Sequence, residues 1–539
     1  MGSKSRKREI GRMPFVWQAL AMGGIAAGMR LVLLLVDAFP FNADEAIVGL
    51  MGRHILQGRW PVFFYGQAYM GSLDASLVAL GFGIFGEKIW VIRAIQSLLY
   101  FGTVVSTCYL GRRIFGSEKM GTMAGLFMAV PTVNVLLYTT VSLGGYGEAL
   151  LIGNLLLLLG LGVKDNPERM WRYAVWGLLA GLGFWGFGLV VVFAVPASVL
   201  IFQAAFSREG WGGRLARIGT VVAAFLLGVS PVVYWIATSG IGGLLSELTG
   251  SAIAGASPLS GLSALGLRLA NLLLFGATAT WGLRPPWGVR WLAIPLAPIA
   301  ATFWLATSVY AVLSLRRRDS ARTGRWLMFG IAACLIGGYL ATPFGADPSG
   351  RYFVPLAVPL AISAVDMLER LLGGKRWAWA VLSGVLIFNF VGTVQSALRS
   401  PPGLTTQFDA VTWIDHSYDQ ELIEFLEQRD EMYGYTNYWV AYPLAFQSQE
   451  RIIFVPKLPY HHDFRYTSRD DRYPAYTSAV EESERVAYIT TNHPALDARL
   501  EDAFIQANIT WEEARIGDYH VFYRLSRPVR SEDIADGWW

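Results

Sequence analysis

Apolar residues run in long blocks from residue 14 to residue 396, and polar residues break those blocks only at short intervals. Each block is about the length that crosses a hydrocarbon core. Counting runs of about 17–25 residues as spans predicts helices over 14–36, 90–111, 120–138, 148–163, 173–188, 189–205, 217–238, 291–314, 326–343, 352–372 and 377–396. The block at 173–205 is too long for one span, and Phe184-Trp185-Gly186-Phe187-Gly188 supplies the turn that divides it. Residues 262–280 are apolar but carry Arg268 and Asn271, which predicts a juxtamembrane or re-entrant helix. The expected fold class is therefore an all-α polytopic membrane bundle of about eleven helices over 14–396, after a tail at 1–13.

The pattern changes after Ser400-Pro401-Pro402-Gly403, a linker signal. Helical spacing at Leu422, Ile423, Phe425 and Leu426 predicts a helix over 419–429, and a second helix is expected at 494–508. Short apolar strands are expected near 432–435, 451–456, 487–490 and 520–525, so 397–539 reads as a soluble α/β domain. The aromatic run from Tyr435 to Tyr442 is read as core ahead of a sugar-stacking surface. His461-His462-Asp463 lacks a spaced partner ligand and is read as a solvated loop, not a metal site.

Composition agrees with the blocks. Of 539 residues, 54% are hydrophobic and 16% charged, against about a quarter charged in soluble domains. The net charge of +4 is small and no basic patch points to nucleic acid. Cys108 and Cys334 both lie in apolar runs, so no disulfide framework is expected. The first apolar run lacks a small-residue cleavage site and is expected to stay as a membrane helix.

The position of the charges carries more than their sum. Lys4, Arg6, Lys7, Arg8 and Arg12 precede the first span, and Arg112, Arg113, Lys119, then Lys164, Arg169, Arg172, occupy alternate loops. Arg208, Arg214 and Arg217, then Arg316, Arg317, Arg318, Arg322 and Arg325, then Arg370, Lys375 and Arg376, continue the series. With the span count above, all fall on one side, which predicts a cytoplasmic N-terminus and an extracytoplasmic C-terminal domain in a cell membrane.

The opposite face holds the chemistry. Loop one, residues 37–89, contains Asn42-Ala43-Asp44-Glu45, followed by apolar Ile47, Leu50, Met51 and Ile55 at helical spacing, which predicts an amphipathic helix lying on the membrane. Asp44 and Glu45 are read either as capping and dipole-complementing acids or as carboxylates beside an aqueous cleft, where one serves as general base. Tyr69 lies in an aromatic stretch, Asp74 opens an apolar run, and Glu148 stands at the end of a span. Arg351-Tyr352 follows Asp347-Pro348-Ser349-Gly350 and places a cation against the charge bias, suited to a phosphate or to interfacial snorkelling. Arg30 is the main charge inside a predicted span and is expected to pair with an acid in the outer cavity.

The order and side of Asp44-Glu45, Tyr69, Glu148 and Arg351-Tyr352 resemble a GT-C glycosyltransferase, of the ArnT and protein O-mannosyltransferase-like group (glycosyltransferase family 39). The resemblance covers the whole bundle. It implies an inverting enzyme that moves a sugar from a polyprenyl-phosphate donor to a lipid, glycan or protein acceptor, without metal or other cofactor. Carried over, it makes Asp44 and Glu148 the catalytic acids, and Glu45, Tyr69, Asp74, Arg351 and Tyr352 the substrate-binding residues. The chain departs from the family's Glu-Lys-Pro-Pro stretch, for Met70-Gly71-Ser72-Leu73 stands there and a donor-phosphate cation is missing; Arg53, His54 or Lys88 is the candidate replacement in loop one, and the sequence does not choose among them. Two other classes remain open on the residues alone. A transporter or flippase of lipid-linked sugars would place polar residues near the midplane of both halves, and a sugar-binding scaffold would have no need of Asp44.

Overall fold

The computed structural model describes residues 13–207, 210–242, 244–245, 261–373 and 376–534; the basic residues before Met13, Arg208 and Lys375 lie outside them. Nine helices among the described residues are long and apolar enough to cross a membrane. Trp211–Gly228 and Ser230–Ser239, bent by 64°, make a tenth if they are one span.

The differences from the expected eleven have local causes. The run at 120–138 breaks at Pro131, which has no N–H to give a helix and holds Val130 out of the α region. Two pieces result, Glu118–Ala129 and Val133–Tyr138. The run at 173–205 divides where Gly186 and Phe187 allow, into Met170–Gly186, of 17 residues, and Val191–Phe206. Gly261–Thr280, expected to be juxtamembrane or re-entrant, is instead a 20-residue helix of span length and hydropathy. Its polar residues find backbone partners: Arg268 Nη1 donates to Leu340 O at 2.9 Å, and Asn271 Nδ2 to Gly345 O and Ala346 O, both at 3.1 Å. A π-helical turn over Asn271–Gly276 aims that amide.

The basic loops gather at one end of the bundle. Lys119 pairs with Glu369 at 2.9 Å, Arg217 with Glu168 at 3.7 Å, and Lys164 Nζ donates to Thr323 Oγ1 at 2.7 Å. Arg325 bridges Asp319 and Asp366 at 2.7 and 2.6 Å. Arg30, by contrast, meets no acid among the described residues. It is fully buried, its guanidinium 3.7 Å from the Tyr100 ring centroid, and Nη2 donates to Thr139 Oγ1 at 2.7 Å.

The other end carries loop one, with its hairpin of β1 Phe63–Phe64 and β2 Gln67–Gly71, and the C-terminal domain. That domain folds around a five-stranded sheet ordered β4-β3-β5-β7-β6, with β3 Tyr433–Thr436, β4 Ile453–Pro456, β5 Ala487–Thr491, β6 Glu512–Ile516 and β7 Tyr519–Tyr523. β3 runs parallel to β4 and β5, while β7 is antiparallel to β5 and β6. Helices Asp419–Arg429 and Pro494–Gln506 pack on it close to their expected bounds.

Between β3 and β4 the helix Tyr438–Gln447 turns toward the bundle, capped by Asn437, whose side chain accepts from Trp439 N at 3.0 Å. It packs on the loop-one helix Ala43–Leu56. Phe446 lies 5.6 Å from Phe41 and 6.1 Å from Phe82, and a Cβ on Gly49 would stand 2.6 Å from its ring. The loop-one helix is thus sandwiched rather than spread on the membrane with a wet face. From Ala43 to Ile55 every residue but Asp44 is buried.

Candidate functional site

A polar cavity of about 350 Å³ lies where the bundle, loop one and the C-terminal domain meet. Loop one gives Asp44, Gln67, Tyr69 and Met70; the bundle gives Tyr138, Tyr146, Phe187, Asp347, Arg351 and Tyr352. The C-terminal domain closes the wall with Tyr438, Trp439, Tyr460, His461, Arg465, Asp470 and Arg472.

Helix capping decides which acid of Asp44-Glu45 is available. Asn42 Oδ1 accepts from Glu45 N at 3.1 Å and its amide donates to Glu45 Oε2 at 3.3 Å, so Asn42 and Glu45 close the helix start. Arg93 then clasps Glu45, Nε donating to Oε1 at 3.0 Å and Nη2 to Oε2 at 2.9 Å. Glu45, expected among the substrate contacts, is fully buried in that pair and does not line the cavity. Asp44, one position earlier, points the other way, into the cavity. Tyr438 OH donates to its Oδ1 at 2.7 Å. Burial, then the charge of Asp44, holds the Tyr438 hydroxyl well above its ordinary 10.0, so it remains a donor.

Asp74 and Glu148 also differ from expectation. Both are buried and neither lines the cavity. Asp74 accepts from Gln96 Nε2 at 2.8 Å and from Ser142 Oγ. Glu148 lies in the first turn of Tyr146–Asp165, buried against Asp74 and Gln96. An acid at a span end lies on whichever face the helix phase dictates, and here that face packs inward.

Arg351 stands where its turn puts it. Asp347 Oδ1 accepts from Ser349 N at 2.7 Å, Gly350 takes a left-handed φ of 82°, and Asn134 Nδ2 donates to Gly350 O at 3.2 Å. Arg351 Nε pairs with Asp347 Oδ2 at 2.7 Å, and Nη2 donates to Tyr352 OH at 3.2 Å. Tyr352 and Tyr69 both pack on Phe344, at 5.2 and 5.7 Å.

These two tyrosines and Phe187 also line a second cavity of about 340 Å³, walled by Phe63, Phe184, Trp185, Leu335 and Phe344 and almost wholly apolar. Polar and apolar chambers therefore share a wall. A larger apolar cavity of about 610 Å³ lies elsewhere, with the Arg325–Asp366 pair as its titratable groups, and offers no comparable chemistry. No group of three or more metal-ligating side chains occurs among the described residues.

The loop-one cations expected to stand in for the missing lysine are engaged elsewhere. Arg53 binds Glu87 at 2.6 Å and Glu450 at 3.3 Å; His54 sits between Tyr65 and Glu450, at 2.7 and 2.9 Å. Lys88 is exposed at the start of the next helix. None lines the cavity. The residues that sequence reasoning missed, Tyr438, Asp470 and Arg472, all come from the C-terminal domain. His461, read as solvated, bonds Asp409 at 3.0 Å in the cavity wall.

The sequence profile of the family described as dolichyl-phosphate-mannose-protein mannosyltransferase matches residues 73–235. Among solved structures, ArnT from Cupriavidus metallidurans bound to undecaprenyl phosphate superposes with a TM-score of 0.58 at 13% identity, covering 94% of this chain and 97% of that one. The same protein in the apo state gives 0.58 at 12%, covering 93% and 97%. No curated protein matches the sequence. The fold is that of ArnT.

Proposed function

We propose that this chain is an inverting glycosyltransferase that moves a sugar from a polyprenyl-phosphate donor to an acceptor hydroxyl, in the cavity under the C-terminal domain. The observation that carries the reading is the single loop-one carboxylate left facing a polar cavity that also holds Arg351 and abuts an apolar one. The lipid tail lies in the apolar chamber, and its phosphate sits at the shared wall of Tyr69 and Tyr352. Arg351 holds the phosphate by charge-assisted hydrogen bonds.

Asp44 takes the proton from the acceptor hydroxyl as that oxygen bonds the anomeric carbon. The bond from the anomeric carbon to the phosphate oxygen breaks, and the phosphate leaves with the electron pair, its growing charge met by Arg351. Attack from the face opposite the leaving group inverts the centre. The basic end of the bundle is cytoplasmic and the cavity opens on the outer face of a cell membrane.

Transfer by the purified full-length chain in nanodiscs, offered a panel of undecaprenyl-phosphate-linked sugars, tests the reading. Asp44→Asn is expected to bind donor yet lose about 10²–10⁴-fold in transfer. Turnover by Asp44→Asn near that of the unsubstituted protein would remove Asp44 from the chemistry.

A further inference from the structure

We propose that Arg472, carried by the C-terminal domain, binds the donor phosphate together with Arg351, in place of the lysine that loop one lacks. The proposal rests on the glycosyltransferase reading and adds to it a binding residue from outside the bundle.

Three arginines line the polar cavity, and two of them already share their charge with a carboxylate. Arg351 pairs with Asp347 at 2.7 Å, and Arg465, half-exposed, with Asp463 at 3.4 Å. Arg472 has no carboxylate within ion-pair distance among the described residues, although the charges of Asp44 and Asp470 both act on it from nearby. Its terminal nitrogens reach neutral acceptors: Gly66 O at 3.5 Å and, with the Gln67 amide turned to satisfy both its atoms, the Gln67 oxygen at 2.6 and 2.9 Å. Its Nε is buried without an acceptor. A buried, unsatisfied guanidinium N–H is costly, and a bound anion removes that cost.

Loop one is shaped to receive this side chain. Gly66 turns the hairpin of Phe63–Phe64 and Gln67–Gly71 at a φ of 68°, and a Cβ there would stand 2.7 Å from Arg472 Cδ. The Tyr438 ring lies beneath the guanidinium at 5.5 Å. On the far side of Gln67, its amide nitrogen donates to Tyr69 OH at 3.2 Å. Tyr69 borders both chambers, so the network Arg472–Gln67–Tyr69 ends where a lipid tail meets its headgroup. The acids in the wall are Asp44, Asp347, Asp409 and Asp470. Asp347 and Asp409 are occupied by Arg351 and His461. Burial pushes the Asp470 carboxyl up to about 7, which reduces its claim on Arg472 near neutral pH.

The test is binding of undecaprenyl phosphate, without sugar, to the full-length chain in nanodiscs, with inorganic phosphate as a competitor. Arg472→Gln is expected to weaken binding by about 10–100-fold, and Arg472→Lys, which keeps the charge without the planar fork, by less. Inorganic phosphate is expected to displace the lipid only at concentrations orders of magnitude higher; equal potency would overturn the lipid-linked assignment. Folding is followed by size exclusion and Tm, and if Arg472→Gln does not fold, Arg472→Lys decides, its unchanged affinity counting against the proposal. Affinity retained in Arg472→Gln but lost in Arg351→Gln would overturn the role of Arg472 and leave the glycosyltransferase reading standing. No binding by the unsubstituted protein would remove both.

Discussion

Tyr438 OH donates to Asp44 Oδ1 at 2.7 Å, joining residues 394 apart in sequence and making the C-terminal domain part of the wall that holds the candidate base. The bond fixes one carboxylate oxygen and is the one hydrogen bond to Asp44 among the described residues. Tyr438→Phe keeps the ring, which packs on Trp439 and Tyr442 at 5.1 and 5.5 Å, and removes the donor alone. Loss of a neutral donor to a carboxylate costs about 1.5–3 kcal/mol. We expect kcat to fall roughly 10–100-fold with donor KM little changed, measured by steady-state transfer. A rise in KM at constant kcat would mean that Tyr438 binds donor rather than orienting Asp44.

Glu450 is the clamp between domain and bundle. It accepts from Tyr476 OH at 2.7 Å, bonds His54 Nε2 at 2.9 Å and pairs with Arg53 at 3.3 Å. Burial raises its carboxyl, but the hydrogen bonds from His54 and Tyr476 prevail and hold it at about 2, below the ordinary 4.5. A carboxylate lowered in this way adds stability that is present above about 4.5 and is lost as pH falls toward 2. Glu450→Gln is expected to lower Tm by several degrees at pH 7 and to speed proteolysis in the linker, with the difference from the unsubstituted protein shrinking at low pH. An equal Tm difference at pH 7 and pH 3 would contradict the clamp.

Asp470 shows the opposite sign. Burial raises its carboxyl from 3.8 to about 7, against the pull of Arg472. Ionising it in the folded state therefore costs stability, with nothing lost below about 4 and the full cost reached above about 7. Asp470→Asn should match the unsubstituted protein at pH 4 and gain in Tm as pH rises to 7.5, then stay level. Thermal melts at four pH values decide this; a gain at pH 4 equal to that at pH 7.5 would show that packing, not charge, is responsible.

The parts of this molecule that are legible in sequence are those that a bilayer forces. A run such as Phe15–Leu35 has one stable fate in hydrocarbon, and a glycine–aromatic break such as Gly186-Phe187 has to be a turn. The sequence singles out Asp44 because an acid beside a span end has few uses, and the fold places it in the cavity wall. The placement of Glu148 was not legible, since sequence spacing does not fix the rotation of a helix packed on all sides. Residues 262–280 look juxtamembrane or re-entrant in sequence because Arg268 and Asn271 interrupt them, until Leu340, Gly345 and Ala346 supply carbonyls from 72–75 residues away. Tyr438 and Arg472 left no usable signal. An aromatic run is ordinarily core, and nothing local tells Arg472 from its neighbours Arg465 and Arg469. Their meaning comes from contacts with loop one some 400 residues earlier, which only the fold brings about.

Asp44 and Glu45 are adjacent acids whose conservative amides should fail in opposite ways. Glu45 sits in a buried ion pair with Arg93, whose Nη2 has Pro40 O at 3.3 Å as its other acceptor. Glu45→Gln keeps the Asn42 cap and nearly the same volume, but leaves the Arg93 charge without its counter-ion. Removing one partner of a buried pair costs about 3–5 kcal/mol. That variant is expected to melt many degrees lower, while the fraction that remains folded keeps its turnover per molecule. Asp44→Asn breaks no ion pair among the described residues, and its amide oxygen still accepts from Tyr438, so stability should move by no more than about 1 kcal/mol. Transfer should nonetheless fall by about 10²–10⁴-fold. Measuring Tm and active-site-normalised turnover on both variants separates stability from chemistry at two consecutive residues. A Glu45→Gln protein with unchanged Tm would mean that Arg93 has another partner, and an Asp44→Asn protein that loses Tm and turnover together would make Asp44 structural.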